Sequence, residues 1–313
     1  MNVAVPNREE WFAEVDGLPR PDWEAVGKWI ESNIAKDAQT DAWDQAALLW
    51  LDRLRNRLRA DYQIAESQNF LLLSASSARD ATTAIRFLET MMARILKRLQ
   101  GVAQDDPTKN IVVALSTMDE YDAYTAYFYE ENDECRRSGG VFISSGYPHF
   151  VVWSPKLLTE AQPVLVHELT HNCLMHLPLP MWLNEGLTCA VEQTLMHSRR
   201  PLVDREVFEK HQAFWNTDTI QEFWKGTAFF RPDDGSTLSY NLAQVLVHKL
   251  QQDLALPGEK IREFILDANW DDAGEAAIRK HLEVSLSDLV ASFIGPGDWT
   301  PKPETWETKQ KGQ

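Results

Sequence analysis

Two histidines and a glutamate fall within one stretch of five residues, H-E-L-T-H, which runs from His167 to His171 in apolar surroundings. In a helix, four residues make just over one turn, so both imidazoles project from the same face. This pattern is typical of a zinc site, because Zn²⁺ accepts imidazole nitrogen and carboxylate oxygen and keeps one position for water. Glu168 lies beside that face, where it can take a proton from the metal-bound water. The motif therefore predicts zinc-assisted hydrolysis with Glu168 as the general base.

The third ligand is expected from a second motif, W-L-N-E-G-L, which places Glu185 fourteen residues after His171. Pro178 and Pro180 break the first helix, and a new helix is expected to begin near Met181. A reversing loop of this length can bring Glu185 to the open side of the metal. The alternative is an ordinary acidic residue near a helix N-terminus, which the helix dipole favours.

Helix geometry argues against His176 as the third ligand. His176 follows His171 by five residues and is rotated off the ligand face. It also misses the metzincin pattern, which needs a glycine and a histidine one position later. His176 is therefore expected to lie at a helix end, near carbonyl groups or solvent. The alternative for His167 and His171 is a satisfied pair of core histidines.

The two motifs together resemble those of the gluzincins of the peptidase MA clan, which include thermolysin and the zinc aminopeptidases. The chain is most similar to the small peptidase-MA-like group. Residues 70–192 of the chain resemble that group in the order of their predicted elements. The order is strand, long helix, strand, helix, two strands, H-E-x-x-H helix and W-L-x-E-G helix. The resemblance implies a zinc metallopeptidase that cleaves peptides or proteins, with one Zn²⁺ held by His167, His171 and Glu185. The interval between His171 and Glu185 is shorter than in thermolysin and the zinc aminopeptidases, so the ligand assignment carries over but their substrate specificity does not.

Amide hydrolysis also needs a donor that stabilises the oxyanion, and a tyrosine hydroxyl or a protonated histidine usually supplements the zinc. Tyr240 begins a predicted helix that resembles the tyrosine-led helix after the metal motif in the peptidase-MA-like group. We expect Tyr240 to be this donor, and the alternative is a helix-capping tyrosine with its hydroxyl in water. His211 and His248 are weaker candidates, because the sequence identifies no partner for either.

Two further features are expected to support the centre. Thr188 and Glu192 follow Glu185 by three and seven residues, on a face suited to orienting that ligand. For Glu192, solvated helix surface is the alternative. In the resembling enzymes an edge strand pairs with extended substrate, and residues 139–144 are the candidate for that strand. Their glycine pair could instead serve only as a turn.

Periodicity predicts the elements that must position these groups. A helical pattern extends from about residue 11 to residue 65. Short strands are expected at 70–75, 111–116, 140–144 and 150–153. Helices are expected at 78–99, 118–128 and 159–175, and helical patterns also dominate residues 203–294.

These elements indicate an α+β, zincin-like fold, in which a small mixed sheet supports an active-site helix between helical N-terminal and C-terminal extensions. The expected division is an N-terminal helical segment (1–65), a catalytic core (66–200), a C-terminal helical subdomain (201–296) and a flexible tail (297–313).

Composition restricts the function further. The formal net charge is −16, which disfavours binding to nucleic acid or to anionic membranes. No secretory signal and no membrane-spanning stretch is evident, so a cytoplasmic location is expected. The three cysteines show no Cys-x-x-Cys spacing and are expected to be reduced. Hydrolysis of another kind of amide, or a protein-binding module without catalysis, are the alternatives to peptide cleavage.

Overall fold

The structure is a computed structural model, and it describes residues 4–129, 139–144, 146–154, 161–197, 203–252 and 258–306. The chain divides into two compact units. The first contains Met1–Lys97 and Asp105–Cys173, and the second contains Arg98–Gln104 and Leu174–Gln313. The four-part division expected from the sequence stays a prediction.

All the strands that the structure describes belong to the first unit. They are β1 (Phe12–Val15), β2 (Leu18–Pro21), β3 (Gln63–Glu66), β4 (Phe70–Ser74), β5 (Asn110–Leu115), β6 (Gly140–Ile143) and β7 (His149–Trp153).

Strands β3 to β7 form one mixed sheet in the order β3-β4-β5-β7-β6. Strand β4 pairs in parallel with β5, and β5 pairs in parallel with β7. The outer strands β3 and β6 are antiparallel to their neighbours. Every residue of β4 and β5 is buried, which explains why both read as continuous apolar runs.

The first unit also contains five helices among its described residues. They are α1 (Trp23–Asn33), α2 (Gln39–Arg57), α3 (Ala78–Arg98), α4 (Met118–Thr125) and α5 (Gln162–Leu174), of which α3 and α5 end at the boundary with the second unit. A capping box fixes the start of α4, because Thr117 accepts from the amide of Glu120 while the Glu120 side chain accepts from the amide of Thr117.

The helical pattern predicted from about residue 11 to residue 65 is wrong over residues 12–15, 18–21 and 63–65, which lie in strands. Strands β1 and β2 pair as an antiparallel hairpin. Arg20 of this hairpin is buried, and its guanidinium lies 4.6, 4.5 and 5.1 Å from the ring centroids of Tyr124, Tyr127 and Phe128. Its Nη2 donates to the carbonyl of Tyr124 at 2.9 Å. Cation–π contacts and one hydrogen bond thus hold this buried charge.

His149 lies in the core of the same unit and is 2% exposed. Its Nδ1 donates to the carbonyl of Tyr147 at 2.9 Å, so its Nε2 accepts from the hydroxyl of Tyr124 at 2.8 Å. Burial, with a smaller contribution from the charge of Arg20, lowers the pKa of His149 to about 4, although the hydrogen bond to the carbonyl of Tyr147 acts in the opposite direction. The imidazole is therefore neutral near pH 7 and belongs to the packed core.

The second unit is helical in the part that the structure describes. Its helices are α6 (Met181–Leu195), α7 (Arg205–Phe214), α8 (Thr219–Lys225), α9 (Asp234–Gln252), α10 (Gly258–Asp267), α11 (Glu275–Leu282) and α12 (Leu286–Ile294). Beyond α12, Trp299 is buried, and its carbonyl accepts from Nε1 of Trp224 at 2.8 Å. The amide of Lys302 donates to Gln221 at 2.8 Å, so residues 299–302 are attached to α8.

The architecture confirms the predicted α+β class with a small mixed sheet. Most of the expected elements from residue 70 onward are present within a few residues of their predicted bounds. None of the described helices combines the length and the apolar character that crossing a membrane requires.

Candidate metal centre

Helix α5 carries His167 and His171 one turn apart, as the motif predicts. Pro163 lies in the first turn, where a missing amide hydrogen costs no intrahelical bond. The two imidazole centroids are 4.8 Å apart, and the two Nε2 atoms are 3.1 Å apart. Both residues are partly buried. The same nitrogen of each ring therefore faces a common point.

Two contacts within the first unit hold α5 on the sheet. Val164 packs over Gly140 so closely that a Cβ at position 140 would lie 2.3 Å from Val164 Cγ1. Near the other end, Nδ2 of Asn172 donates to Oδ1 of Asn110 at 2.5 Å, and both side chains are buried. Because these contacts lie on either side of the histidines, the sheet fixes where the imidazoles stand.

Glu185 lies in the second turn of α6, in the second unit, and is 6% exposed. The next residue, Gly186, is where α6 approaches α9 most tightly. A Cβ there would lie 2.6 Å from the carbonyl oxygen of Ala243 and 2.6 Å from Cγ2 of Val247. Glycine inside a helix costs about 1 kcal/mol relative to alanine, so its presence here is explained by this approach. The position of Glu185 is thus set by helix packing.

The structure brings the three predicted ligands together. One ligand atom from each of His167, His171 and Glu185 lies within 4.8 Å of the others. Within the residues described, no other group of three His, Cys, Asp or Glu side chains meets this criterion. The three side chains could hold a metal ion.

The groups expected to assist these ligands are also in helices, and their roles stay predictions. Glu168 follows the first ligand on α5 and is 9% exposed, so it is shielded from bulk water. Thr188 is fully buried on α6, and Glu192 is partly buried one turn further along.

Tyr240 lies in the second turn of α9 rather than at its start, and it is partly buried. Its ring packs edge-on against Phe229 with centroids 5.1 Å apart. Tyr240 precedes Ala243, which contacts Gly186, by three residues, so the two lie on neighbouring positions of one helix face. Its assignment as the oxyanion donor stays a prediction.

The remaining candidate histidines do not belong to this group of three side chains. His211 is fully buried on α7: its Nδ1 accepts from Nε1 of Trp215 at 2.8 Å, and its Nε2 therefore donates to Oδ1 of Asn241 at 2.8 Å. Burial lowers the pKa of His211. This pattern indicates a structural histidine that ties α7 to α9. His248 and His176 are both exposed.

The candidate edge strand is at an edge of the described sheet, as β6. Gly139 has a φ of +78°, which favours glycine, and Gly140 is required by the approach of Val164. The backbone conformation and the close packing therefore explain why glycine occupies both positions. Binding of extended substrate along β6 stays a prediction.

Two of the three cysteines lie among the described residues, and both are buried. The thiol of Cys173 contacts Sδ of Met92 at 3.4 Å, and burial raises its pKa to about 12. Cys173 is therefore a thiol rather than a thiolate near pH 7. Cys135 lies outside the described residues.

Two residues that matter for the geometry were not singled out from the sequence. Gly186 carried a signal, because an interior helical glycine indicates close packing. Asn172 carried a weaker one, since a polar residue directly after His171 could equally have pointed to solvent.

No family model matches the chain, and no curated protein matches it. The gluzincin resemblance therefore rests on the two short motifs and the order of elements around them.

Proposed function

We propose that the chain is a zinc-dependent hydrolase, and more specifically a metallopeptidase of zincin-like fold that acts in the cytoplasm. The observation that carries this proposal is the convergence of His167, His171 and Glu185, whose ligand atoms lie within 4.8 Å of one another. Two imidazoles and one carboxylate are the donor set of catalytic zinc sites that leave a position for water.

The spacing of the two imidazoles supports zinc. A tetrahedral ion with Zn–N distances of about 2.0–2.1 Å holds two nitrogens about 3.3–3.4 Å apart. The Nε2 atoms of His167 and His171 are 3.1 Å apart, so little movement would be needed to accept the ion. Preorganised ligands are expected when a helix is anchored on a sheet, as α5 is through Asn172 and Val164.

Each residue then has a defined task. Zinc, when bound, would polarise the scissile carbonyl and acidify a water molecule. Glu168 takes a proton from the attacking water and delivers it to the departing amine. The hydroxyl of Tyr240 donates a hydrogen bond to the oxygen on which negative charge develops. Thr188, buried one turn after Glu185, helps to orient that carboxylate.

The test uses the full chain with zinc content measured by elemental mass spectrometry. The protein is incubated with a mixture of unmodified peptides, with and without a chelator, and the products are identified by mass spectrometry. We expect one zinc per chain and cleavage that the chelator abolishes. Glu168→Gln should retain the zinc and lose activity by roughly 10²- to 10⁴-fold, the contribution usual for a general acid–base group.

The matched control is Glu31→Gln, which makes the same chemical change at an exposed position of α1. Its activity should equal that of the wild type. A chain that holds no zinc contradicts the proposal outright. A chain that holds zinc but cleaves no peptide supports the alternative of a protein-binding module, and cleavage of only non-peptide amides supports an amidase.

A further inference from the structure

A cleft lies within the helical unit. It is lined by residues of α6, α9 and α10 and of the segment 98–102, and its volume is about 420 Å³. This is within the range of small-molecule sites, roughly 300–1,000 Å³. Its apolar lining comes from aliphatic residues, and among the described residues no aromatic side chain contributes. The main aliphatic residues are Leu99, Val102, Leu187, Val191, Ile261 and Ile265.

The lining also contains two arginines, Arg98 and Arg262, together with Gln100, Ala190, Gln251 and Gly258. Arg98 is exposed and takes part in no ion pair among the described residues. Among the described residues, Arg262 has one ion pair, at 3.5 Å from Glu259, whose side chain is 72% exposed. Such a pair contributes little. Within the described part of a chain with a net charge of −16, these two guanidinium groups are thus only weakly neutralised.

The position of Arg262 is defined by the turn after α3. Gly101 has a φ of +78°, and a Cβ there would lie 3.1 Å from Cδ of Arg262. The aliphatic part of Arg262 therefore lies over a residue that has no side chain. Arg262 and Arg98 both belong to the lining of the cleft.

The cleft uses the face of α6 opposite to the proposed ligand. At about 100° per residue, Leu187, Ala190 and Val191 lie roughly 200°, 140° and 240° around the helix from Glu185. A molecule in this cleft therefore does not compete for the position of the metal. The site is independent of the proposed zinc chemistry.

We propose that this cleft binds an aliphatic carboxylate, of which a fatty acid is the simplest example. The carboxylate accepts hydrogen bonds from the guanidinium groups of Arg98 and Arg262, which suit planar two-oxygen acceptors. The hydrocarbon chain covers the aliphatic lining formed by α6 and α10. The absence of aromatic lining in the described cleft favours a flexible chain over a flat ring.

The first experiment is a calorimetric titration of the full chain with decanoate, below its micelle concentration, in the zinc-free and zinc-loaded forms. We expect saturable binding of one decanoate per chain in both forms. Octanoate should bind roughly 15-fold more weakly, because each buried methylene contributes a factor of about four. Decanol and decyltrimethylammonium should bind much more weakly than decanoate, since neither can accept from two guanidinium groups as a carboxylate does.

Variants locate the site. Arg98→Gln and Arg262→Gln should each weaken decanoate binding about tenfold, the loss expected for a charge-assisted hydrogen bond. Arg94→Gln, one turn earlier on α3 and outside the lining, is the matched control and should bind like the wild type. Ala190→Phe places a ring in the cleft and should abolish binding.

Three results would overturn the proposal: no saturable decanoate binding, equal affinity of both arginine variants and the wild type, or undiminished binding by folded Ala190→Phe. If Ala190→Phe fails to fold, the arginine variants decide. Because zinc-free protein is included, loss of the proposed hydrolase function would leave this outcome unaffected.

Discussion

Two regions of this chain place buried or partly buried imidazoles in contrasting surroundings. In the core of the sheet, each nitrogen of His149 meets a group that completes its hydrogen bonding: a carbonyl at 2.9 Å and a tyrosine hydroxyl at 2.8 Å. On α5, the Nε2 atoms of His167 and His171 instead face each other at 3.1 Å, with the Glu185 carboxylate nearby.

The difference separates a structural histidine from a candidate metal ligand. An imidazole that donates to a carbonyl and accepts from a hydroxyl has a fixed tautomer and nothing left to offer a metal. Two imidazoles that direct the same nitrogen at one point suit an ion placed between them. The contrast depends on which atoms converge, because all three imidazoles are at least partly buried and the extent of burial does not identify a ligand.

The largest expected effect is a loss of zinc affinity when one of the two converging imidazoles on α5 is removed. His171→Ala should weaken zinc binding by roughly 10²- to 10³-fold, because about 10–16 kcal/mol of binding free energy is shared among the ligands of a typical zinc site. The dissociation constant would be measured by competition with a chromogenic chelator. His248→Ala, an exposed histidine on α9, is the control and should leave the affinity unchanged. Equal affinity of His171→Ala and the wild type would contradict the assignment.

The next effect is the pH dependence of stability that the buried His149 produces. His149 is neutral in the folded chain down to about pH 4, whereas it titrates near pH 6.5 when unfolded. Between these values only the unfolded chain binds the proton, so His149 costs stability as the pH falls from about 6.5 toward 4. The loss should approach 3 kcal/mol.

The measurement compares chemical denaturation of the wild type and His149→Phe at several pH values. Phenylalanine cannot titrate, so the wild type should lose about 3 kcal/mol more stability than the variant over this range. A constant difference between the two proteins across the range would show that the pKa of His149 is not depressed. The zinc content of folded His149→Phe should equal that of the wild type.

The smallest effect is a loss of stability when His211, the structural histidine of the second unit, is replaced. His211→Leu removes the acceptor of the buried Trp215 Nε1–H and should lower the free energy of unfolding by about 2 kcal/mol. Zinc affinity should not change, since the contacts of His211 mark it as structural. A large loss of zinc by a folded variant would show that this histidine contributes to the centre after all.

Much of the sheet and the ligand helices could be predicted from local pattern. The runs at 70–75 and 111–116 are apolar at every position except Ser74 and Ser116, because both faces of β4 and β5 are buried. The ligand triad followed from two spacings, since one turn of helix fixes His167 relative to His171. Only the approach of Glu185 required a guess about a loop.

The hairpin and the buried histidines could not be predicted in the same way. Strand β2 contains two prolines, and β3 is a short outer strand that is not fully buried, so neither shows a clear alternation. The environment of His149 depends on Tyr124, which is 25 residues away in the chain. Such contacts are set by tertiary packing, and local sequence carries no trace of them.

The guanidinium of Arg20 gives the N-terminal hairpin a consequence for anyone who shortens the chain. Three aromatic rings of α4 and its following turn surround this cation. A truncated version that starts after Pro21 would lack Arg20, so those rings would lose their cation and become more exposed to solvent. Expression boundaries for this unit should therefore be drawn before the hairpin, even though its two short strands look dispensable.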